Sequence, residues 1–265
     1  MTARPRVSVV IPARHEEDQI GRVLDRILDA VRLPCEVIVV VDEPGDPTRA
    51  EVARRASAES RLRCLVSGYP AGPANAIRYG IAAAAAPVAV VTMADGCDDP
   101  RQIDDLARLV ERGVAMAAAS RYCPGGQQVG GPLIKGLLSR AAGRSLRVLA
   151  RVGTHDATNS FKAYSTAFVA EAGIDTRHGF AIGIELTAKA RRLRRPVAEL
   201  PTIWLDRPSG VSSFRLTAWI PHYLRWYLFA FGPRLTPERL RERRGEGRPA
   251  PARARAADLA AGEHR

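Results

Sequence analysis

The first 120 residues alternate short apolar runs with segments of helical periodicity, and the runs mostly end in acidic or polar residues. Residues 7–11, 36–41, 62–66, 88–93 and 114–119 read as strands. Between them, residues 17–31 put Ile20, Val23, Leu24, Ile27, Leu28 and Val31 on one helical face. Residues 48–58 and 74–85 are also predicted as helices, and Pro100 opens another, since proline is well tolerated in a first turn. Strands alternating with helices of this length imply crossovers and a mostly parallel sheet. Because the strands are apolar throughout, helices should cover both faces of that sheet.

The second half is less regular. Residues 121–131 read as a Gly-rich loop, 132–150 as a helix, 156–164 as an irregular polar segment, 183–193 as a helix and 197–205 as a strand. Residues 1–216 are therefore expected to form one α/β domain. Residues 217–232 are aromatic and apolar, broken by Pro221, His222 and Arg225. They suit either an interfacial helix or a helix packed on the domain. Residues 233–265, rich in Arg, Pro, Ala and Gly, are expected to be a disordered tail.

A chain of 265 residues suffices for one well-buried domain. Its 40 Lys and Arg against 28 Asp and Glu give a net charge of +12, which would suit an anionic partner. Only Lys135, Lys162 and Lys189 are lysines, so the excess is almost all arginine and fits coding bias equally well. Charge alone therefore does not argue for nucleic-acid binding. Cys35, Cys64, Cys97 and Cys123 show no paired or zinc-ligand spacing, which fits a reduced, cytoplasmic compartment. The first strand follows the N-terminus too closely for a signal peptide, and no apolar run reaches the ~20 residues of a spanning helix.

In open α/β sheets, ligands bind beyond the carboxyl ends of the strands. Here those ends carry Pro12-Ala13-Arg14-His15-Glu16, Asp42-Glu43, Asp95-Gly96-Cys97-Asp98-Asp99 and Ser120-Arg121-Tyr122. Each acid could simply cap a turn or helix. Three acidic loops converging on one edge favour a site. Close carboxylates such as Asp95 and Asp98 need a compensating cation, and Mg2+ or Mn2+ suits oxygen ligands that leave room for substrate phosphates.

Six segments, in order, resemble glycosyltransferase family 2, and within it the dolichol-phosphate mannosyltransferase-like (polyprenyl-phosphate glycosyltransferase) group. They are VSVVIPARHEE, VIVVVDEPGDPT, VTMADGCDDP, AASRYCPGG, DATNSFKAY, and GFAIGIELTAKARR with the following PVAELPTIWLDRPSGVSSF. The resemblance covers roughly residues 6–216. It implies a single GT-A-like α/β domain and an inverting hexosyltransferase that uses a nucleoside-diphosphate sugar and a polyprenyl phosphate. A soluble hydroxyl acceptor, such as a natural-product or cell-surface glycan intermediate, is the alternative. Pro12, Glu16 and Asp42 would hold the nucleotide, and Asp95 and Asp98 the Mg2+ or Mn2+ and the diphosphate. Arg121 and Arg207 would contact phosphates, Asp156 and Lys162 would shape the site beneath the sugar, and Glu185 would lie on the acceptor side. With a hydroxyl acceptor, Glu185 or Asp156 would be the base. A peripheral position at the inner face of the cytoplasmic membrane follows from a lipid acceptor. The chain departs from the family's Asp-x-Asp: Ala94-Asp95-Gly96-Cys97-Asp98 stands there instead. His155 and His178 are expected to be solvated loop residues.

Overall fold

The computed structural model describes residues 4–177, 179–206 and 216–244. In chain order the first half runs β1 (Val7–Ala13), α1 (Glu17–Ala30), β2 (Cys35–Val41), α2 (Pro47–Ala56), β3 (Leu62–Val66), α3 (Pro73–Ala82), β4 (Val88–Val91), α4 (Ile103–Glu111) and β5 (Met116–Ser120). The second half runs β6 (Gln127–Val129), α5 (Leu133–Ser145), β7 (Lys162–Ser165), α6 (Thr166–Ala172), α7 (Ile182–Arg192), β8 (Val197–Pro201), β9 (Ile203–Leu205), α8 (Leu216–Ala230) and α9 (Pro237–Arg243).

The main sheet has the order β3-β2-β1-β4-β7-β5-β8. All its pairings are parallel except those of β7, which runs antiparallel between β4 and β5. β6 and β9 form a separate parallel pair beside it. Alternate residues of β1 serve opposite faces, as the twofold period of a strand requires. Val7, Val9 and Ile11 pack with Ile20, Leu24 and Ile27 of α1 and with Ile103 and Leu106 of α4. Val10 packs on the other side with Ala74, Ile77 and Ile81 of α3 and with Leu186 of α7. The expected architecture, a mostly parallel sheet covered on both faces, is the one observed.

Three stretches differ from the sequence reading. The segment read as irregular ends in β7, whose Lys162, Ala163 and Tyr164 are fully buried. The strand expected over 197–205 is broken at Thr202, so that β8 joins the main sheet and β9 the small one. The tail expected to be disordered from 233 instead carries α9, capped by the Thr236 side chain, with Leu235 and Leu240 buried in the core that holds α6 and α7. A short leucine-bearing helix is hard to see inside an arginine-rich composition. The remainder of that tail lies outside the described residues, as do His178 and Arg207.

α8 is an amphipathic helix. Trp226 and Ala230 are buried against Leu146, Ala150 and Ile184, with Tyr223 and Tyr227 beside them. Ile220, Leu224, Leu228 and Phe231, at helical spacing, stay exposed. All four cysteines are free. Among the described residues no helix is long and apolar enough to cross a membrane.

Candidate active site

β1, β2, β4 and β5 are mutually parallel or share that direction through β7, so their carboxyl ends emerge at one edge. Asp42 follows β2, Asp95 and Asp98 follow β4, and Arg121 follows β5. β1 lies between the first two, with Pro12 buried opposite Val40. Since β7 runs the other way, its first residue, Lys162, pairs with Val91 and Ala118 at this same edge. The chain arriving at β7 therefore delivers Asp156 to the end of β5. Asp42, Asp95, Asp98, Arg121, Asp156 and Lys162 share one rim, as the sequence reading required.

The loops of this rim are tied together by their own side chains. Asp46 caps α2 by accepting from the Thr48 N–H at 2.9 Å and also accepts from the His15 N–H. Thr48 Oγ1 accepts from the Glu16 N–H at 2.9 Å, so the loop after β1 is fixed to the start of α2. The half-buried Asp42 accepts from the Gly72 N–H at 3.0 and 3.1 Å. Gly72 sits at φ +135°, a conformation other residues rarely adopt, and begins α3.

Asp98 is buried. Its Oδ2 accepts from Thr92 Oγ1 at 2.8 Å and from the Met93 N–H at 3.3 Å. Burial, reinforced by the neighbouring charge of Asp95, pushes its carboxyl up to about 7 despite those donors. Asp95 turns one oxygen back onto the Cys97 N–H at 3.1 Å. A buried Asp98 carboxyl beside the Asp95 charge offers the hard oxygen donors that suit Mg2+ or Mn2+, with substrate phosphate completing the shell. Among the described residues a three-ligand group lies elsewhere, at His15, Glu17 and Asp46, whose ligand atoms are within 4.8 Å of one another. The capping bonds of Asp46 account for that arrangement without an ion. Asp99, the third acid of the motif, caps the turn at Pro100 and pairs with Arg101 at 2.8 Å.

Arg121 and the fully buried Asp156 form the strongest charged contact of the rim. Arg121 Nε and Nη2 donate to the two carboxylate oxygens at 2.7 and 2.9 Å, and the Arg121 N–H adds a third bond. Burial would raise the Asp156 carboxyl, but the Arg121 charge and donors hold it below its ordinary value. Lys162 lies beneath, fully buried, donating to the carbonyls of Ala157 and Asn159. Burial lowers its ammonium to about 8, offset in part by Asp156. The Arg121 guanidinium also stands 4.8 Å from the Tyr122 ring. Tyr223 of α8 feels the charges of both Arg121 and Asp156, so α8 flanks this pair.

Glu185 does not belong to the rim. It is fully buried in α7, paired with Lys189 at 2.6 Å, and accepts from the Asp175 and Thr176 N–H groups. A carboxylate so enclosed is a structural ion pair, and the Lys189 four residues on was the sequence signal for it. His155 is likewise engaged: its Nδ1 meets Glu199 Oε1 at 2.6 Å, while Glu199 Oε2 accepts from the His155 N–H and from Thr154 Oγ1. Thr154 Oγ1 in turn accepts from the Asp156 N–H. Glu199 thus positions the turn that presents Asp156, a role the sequence reading missed, although an acid inside the strand VAELP was its trace.

Gly143 of α5 packs against that turn. A Cβ there would lie 2.0 Å from the His155 carbonyl oxygen, so the helix can approach only as glycine. Gly143→Ala is expected to cost about 2–3 kcal/mol through backbone displacement, as overpacking does, and to lower catalytic turnover with it. Urea unfolding checks the first effect and a transfer assay the second.

The sequence profile of "Glycosyl transferase family 2" matches residues 8–172. The chain is 30% identical over 230 residues to "Polyprenol monophosphomannose synthase" of Mycolicibacterium smegmatis, covering 80% of this chain and 82% of that one. It is 27% identical over 213 residues to "Undecaprenyl-phosphate mannosyltransferase" of Micrococcus luteus, covering 78% and 86%. Its fold matches glucosyl-3-phosphoglycerate synthase from Mycobacterium tuberculosis with a TM-score of 0.63 at 18% identity, over 86% of this chain and 81% of that one. A mannosyltransferase from Pyrobaculum calidifontis, solved with GDP-Man and Mn2+, matches with a TM-score of 0.57 at 19% identity, over 98% and 81%.

Proposed function

This chain belongs to glycosyltransferase family 2 and is a glycosyltransferase, and from that premise we propose that it moves a sugar from a nucleoside-diphosphate sugar to a polyprenyl phosphate with inversion at the anomeric carbon. Asp42, with Glu16 and Pro12 beside it, holds the nucleoside. Asp95 and Asp98 would hold Mg2+ or Mn2+, which supplies charge neutralisation to the departing diphosphate. A phosphate oxygen of the acceptor attacks the anomeric carbon from the face opposite the diphosphate. The new carbon–oxygen bond forms as the bond to the diphosphate breaks, and the nucleoside diphosphate leaves. That oxygen is already anionic near neutral pH, so positioning rather than a base limits the step. Arg121, oriented by Asp156, is the cation that receives a phosphate, as a charge-assisted donor.

The acceptor reading rests on one juxtaposition. The Arg121–Asp156 pair is flanked by α8, whose Ile220, Leu224 and Leu228 are exposed. Leu133, Ile134, Leu137 and Leu138 of α5 are exposed as well, with Leu133 at 89%. An anionic head beside an apolar surface suits a lipid phosphate at a membrane surface. The hydroxyl alternative needs a base, and both carboxylates the sequence offered are consumed: Glu185 by Lys189 and Asp156 by Arg121. The two relatives bear names of polyprenol-type mannosyl transfer. The test is incubation with radiolabelled GDP-mannose or UDP-glucose, Mn2+, and either undecaprenyl phosphate or methyl mannoside. Label should enter the organic phase only with the lipid phosphate. Label confined to the soluble glycoside would refute the proposal.

A further inference from the structure

A cleft of about 930 Å3 opens at the end of the sheet opposite the active-site rim. It includes Val197, the first residue of β8, which pairs with Met116 at the start of β5, whereas Arg121 follows the end of β5. At ~3.3 Å per residue the two sites are separated by the length of these strands. Five arginines line the cleft: Arg151, Arg191, Arg194, Arg195 and Arg234, and no carboxylate does. Of these, Arg195 is paired with Glu171 at 2.9 Å, and Arg191 is held by the carbonyls of Ala150 and Gly232. Arg151, Arg194 and Arg234 are exposed, and no described residue forms a salt bridge with them.

Gathering five guanidinium groups of which only Arg195 has a matching acid is unfavourable unless an anion joins them. The backbone adds a second cost in the same place. Arg151 and Arg194 are two of the three non-glycine residues with positive φ among the described residues, at 58° and 54°. A non-glycine residue in this conformation persists only where its surroundings impose it. Arg151 terminates the π-helical turn Leu146–Ala150 after α5, and Arg194 follows α7. Both helix ends therefore turn back so that an arginine lines the same cleft. Guanidinium forks match phosphate oxygens in geometry and charge. We infer that this cleft is a second, non-catalytic binding site for a phosphate-bearing ligand, held chiefly by Arg151, Arg194 and Arg234. Val148 and Leu149 on its border are 69% and 68% exposed, so the phosphate can be a free one or the headgroup of an anionic lipid.

The test compares the full chain with Arg151→Asn/Arg194→Asn and with the control Arg22→Asn/Arg112→Asn, which loses the same charge from other exposed arginines. Asparagine tolerates the left-handed backbone, so the first variant keeps its fold. Titration calorimetry with inorganic pyrophosphate in chelator forms one arm. Sedimentation with phosphatidylcholine vesicles, with and without phosphatidylglycerol, forms the other. Binding of at least one probe should weaken about ten-fold or more in the cleft variant and stay at parent strength in the control. Loss in the pyrophosphate arm assigns a soluble phosphate, and loss confined to phosphatidylglycerol vesicles assigns a lipid headgroup. Failure of the parent to bind either probe, equal binding by all three proteins, or equal loss in both variants overturns the inference.

Discussion

Asp98→Asn is expected to make the metal-free protein more stable at about pH 8 while removing its response to Mn2+ and lowering transfer by about 100- to 1000-fold. The sign follows from the raised carboxyl. Asp98 titrates near 7 in the folded chain, from an ordinary 3.8, because burial and the Asp95 charge oppose ionisation. Between those values the native state holds a proton the unfolded state has released, so stability falls as pH rises through the window. Above about pH 7 the full cost is present, on the order of 4 kcal/mol at ~1.4 kcal/mol per unit. Asparagine removes that cost and keeps the shape. The gain should therefore be largest at about pH 8, shrink through about pH 5 as the native carboxyl becomes protonated in the parent, and vanish only near the unfolded value of 3.8. Thermal unfolding in chelator at the two pH values checks this, and a variant no more stable than the parent at the higher pH would remove the charge-repulsion argument. With Mn2+ the order should reverse, because only the parent gains stability by binding the ion.

This opposition of stability and function explains why so much of the rim was legible before any coordinates. Acids placed after buried strands cost stability, so their recurrence in the loops after β1, β2 and β4 reads as chemistry. The strands themselves were legible because burial on both faces leaves a continuous apolar run, as in residues 37–41 (VIVVV) of β2. β7 was not. It is four residues long, contains a lysine, and owes its place to β4 and β5, whose residues lie far away in the chain. Local pattern carries no information about such an insertion. Glu185 was misread for a related reason: a buried acid in a helix looks the same in sequence whether it faces substrate or a lysine one turn away. Arg207, read as a phosphate contact, lies outside the described residues.

Asp156→Asn should be the most damaging isosteric change in the chain, lowering stability at pH 7 by about 3–5 kcal/mol, as breaking a buried ion pair does. The carboxylate is fully buried and balances two cations, Arg121 in direct contact and Lys162 beneath. Removing its charge leaves both unpaired in a poorly solvated pocket. Arginine keeps its proton, so Lys162 must yield. Its ammonium, already lowered to about 8, should fall further once the attraction of Asp156 is gone. Between that depressed value and 10.5 the unfolded chain holds the extra proton, so stability must rise with pH across the window, and it should do so over a wider range in the variant than in the parent. Denaturant unfolding from pH 7 to about pH 9.5 checks the slope. Adding Lys162→Met to Asp156→Asn removes the second cation and should recover part of the loss. If the double variant is no more stable than Asp156→Asn alone, the two cations do not share one counter-ion. Transfer should fall with the Arg121 geometry in either case, because the stability of this pair and the aim of its guanidinium come from the same two hydrogen bonds.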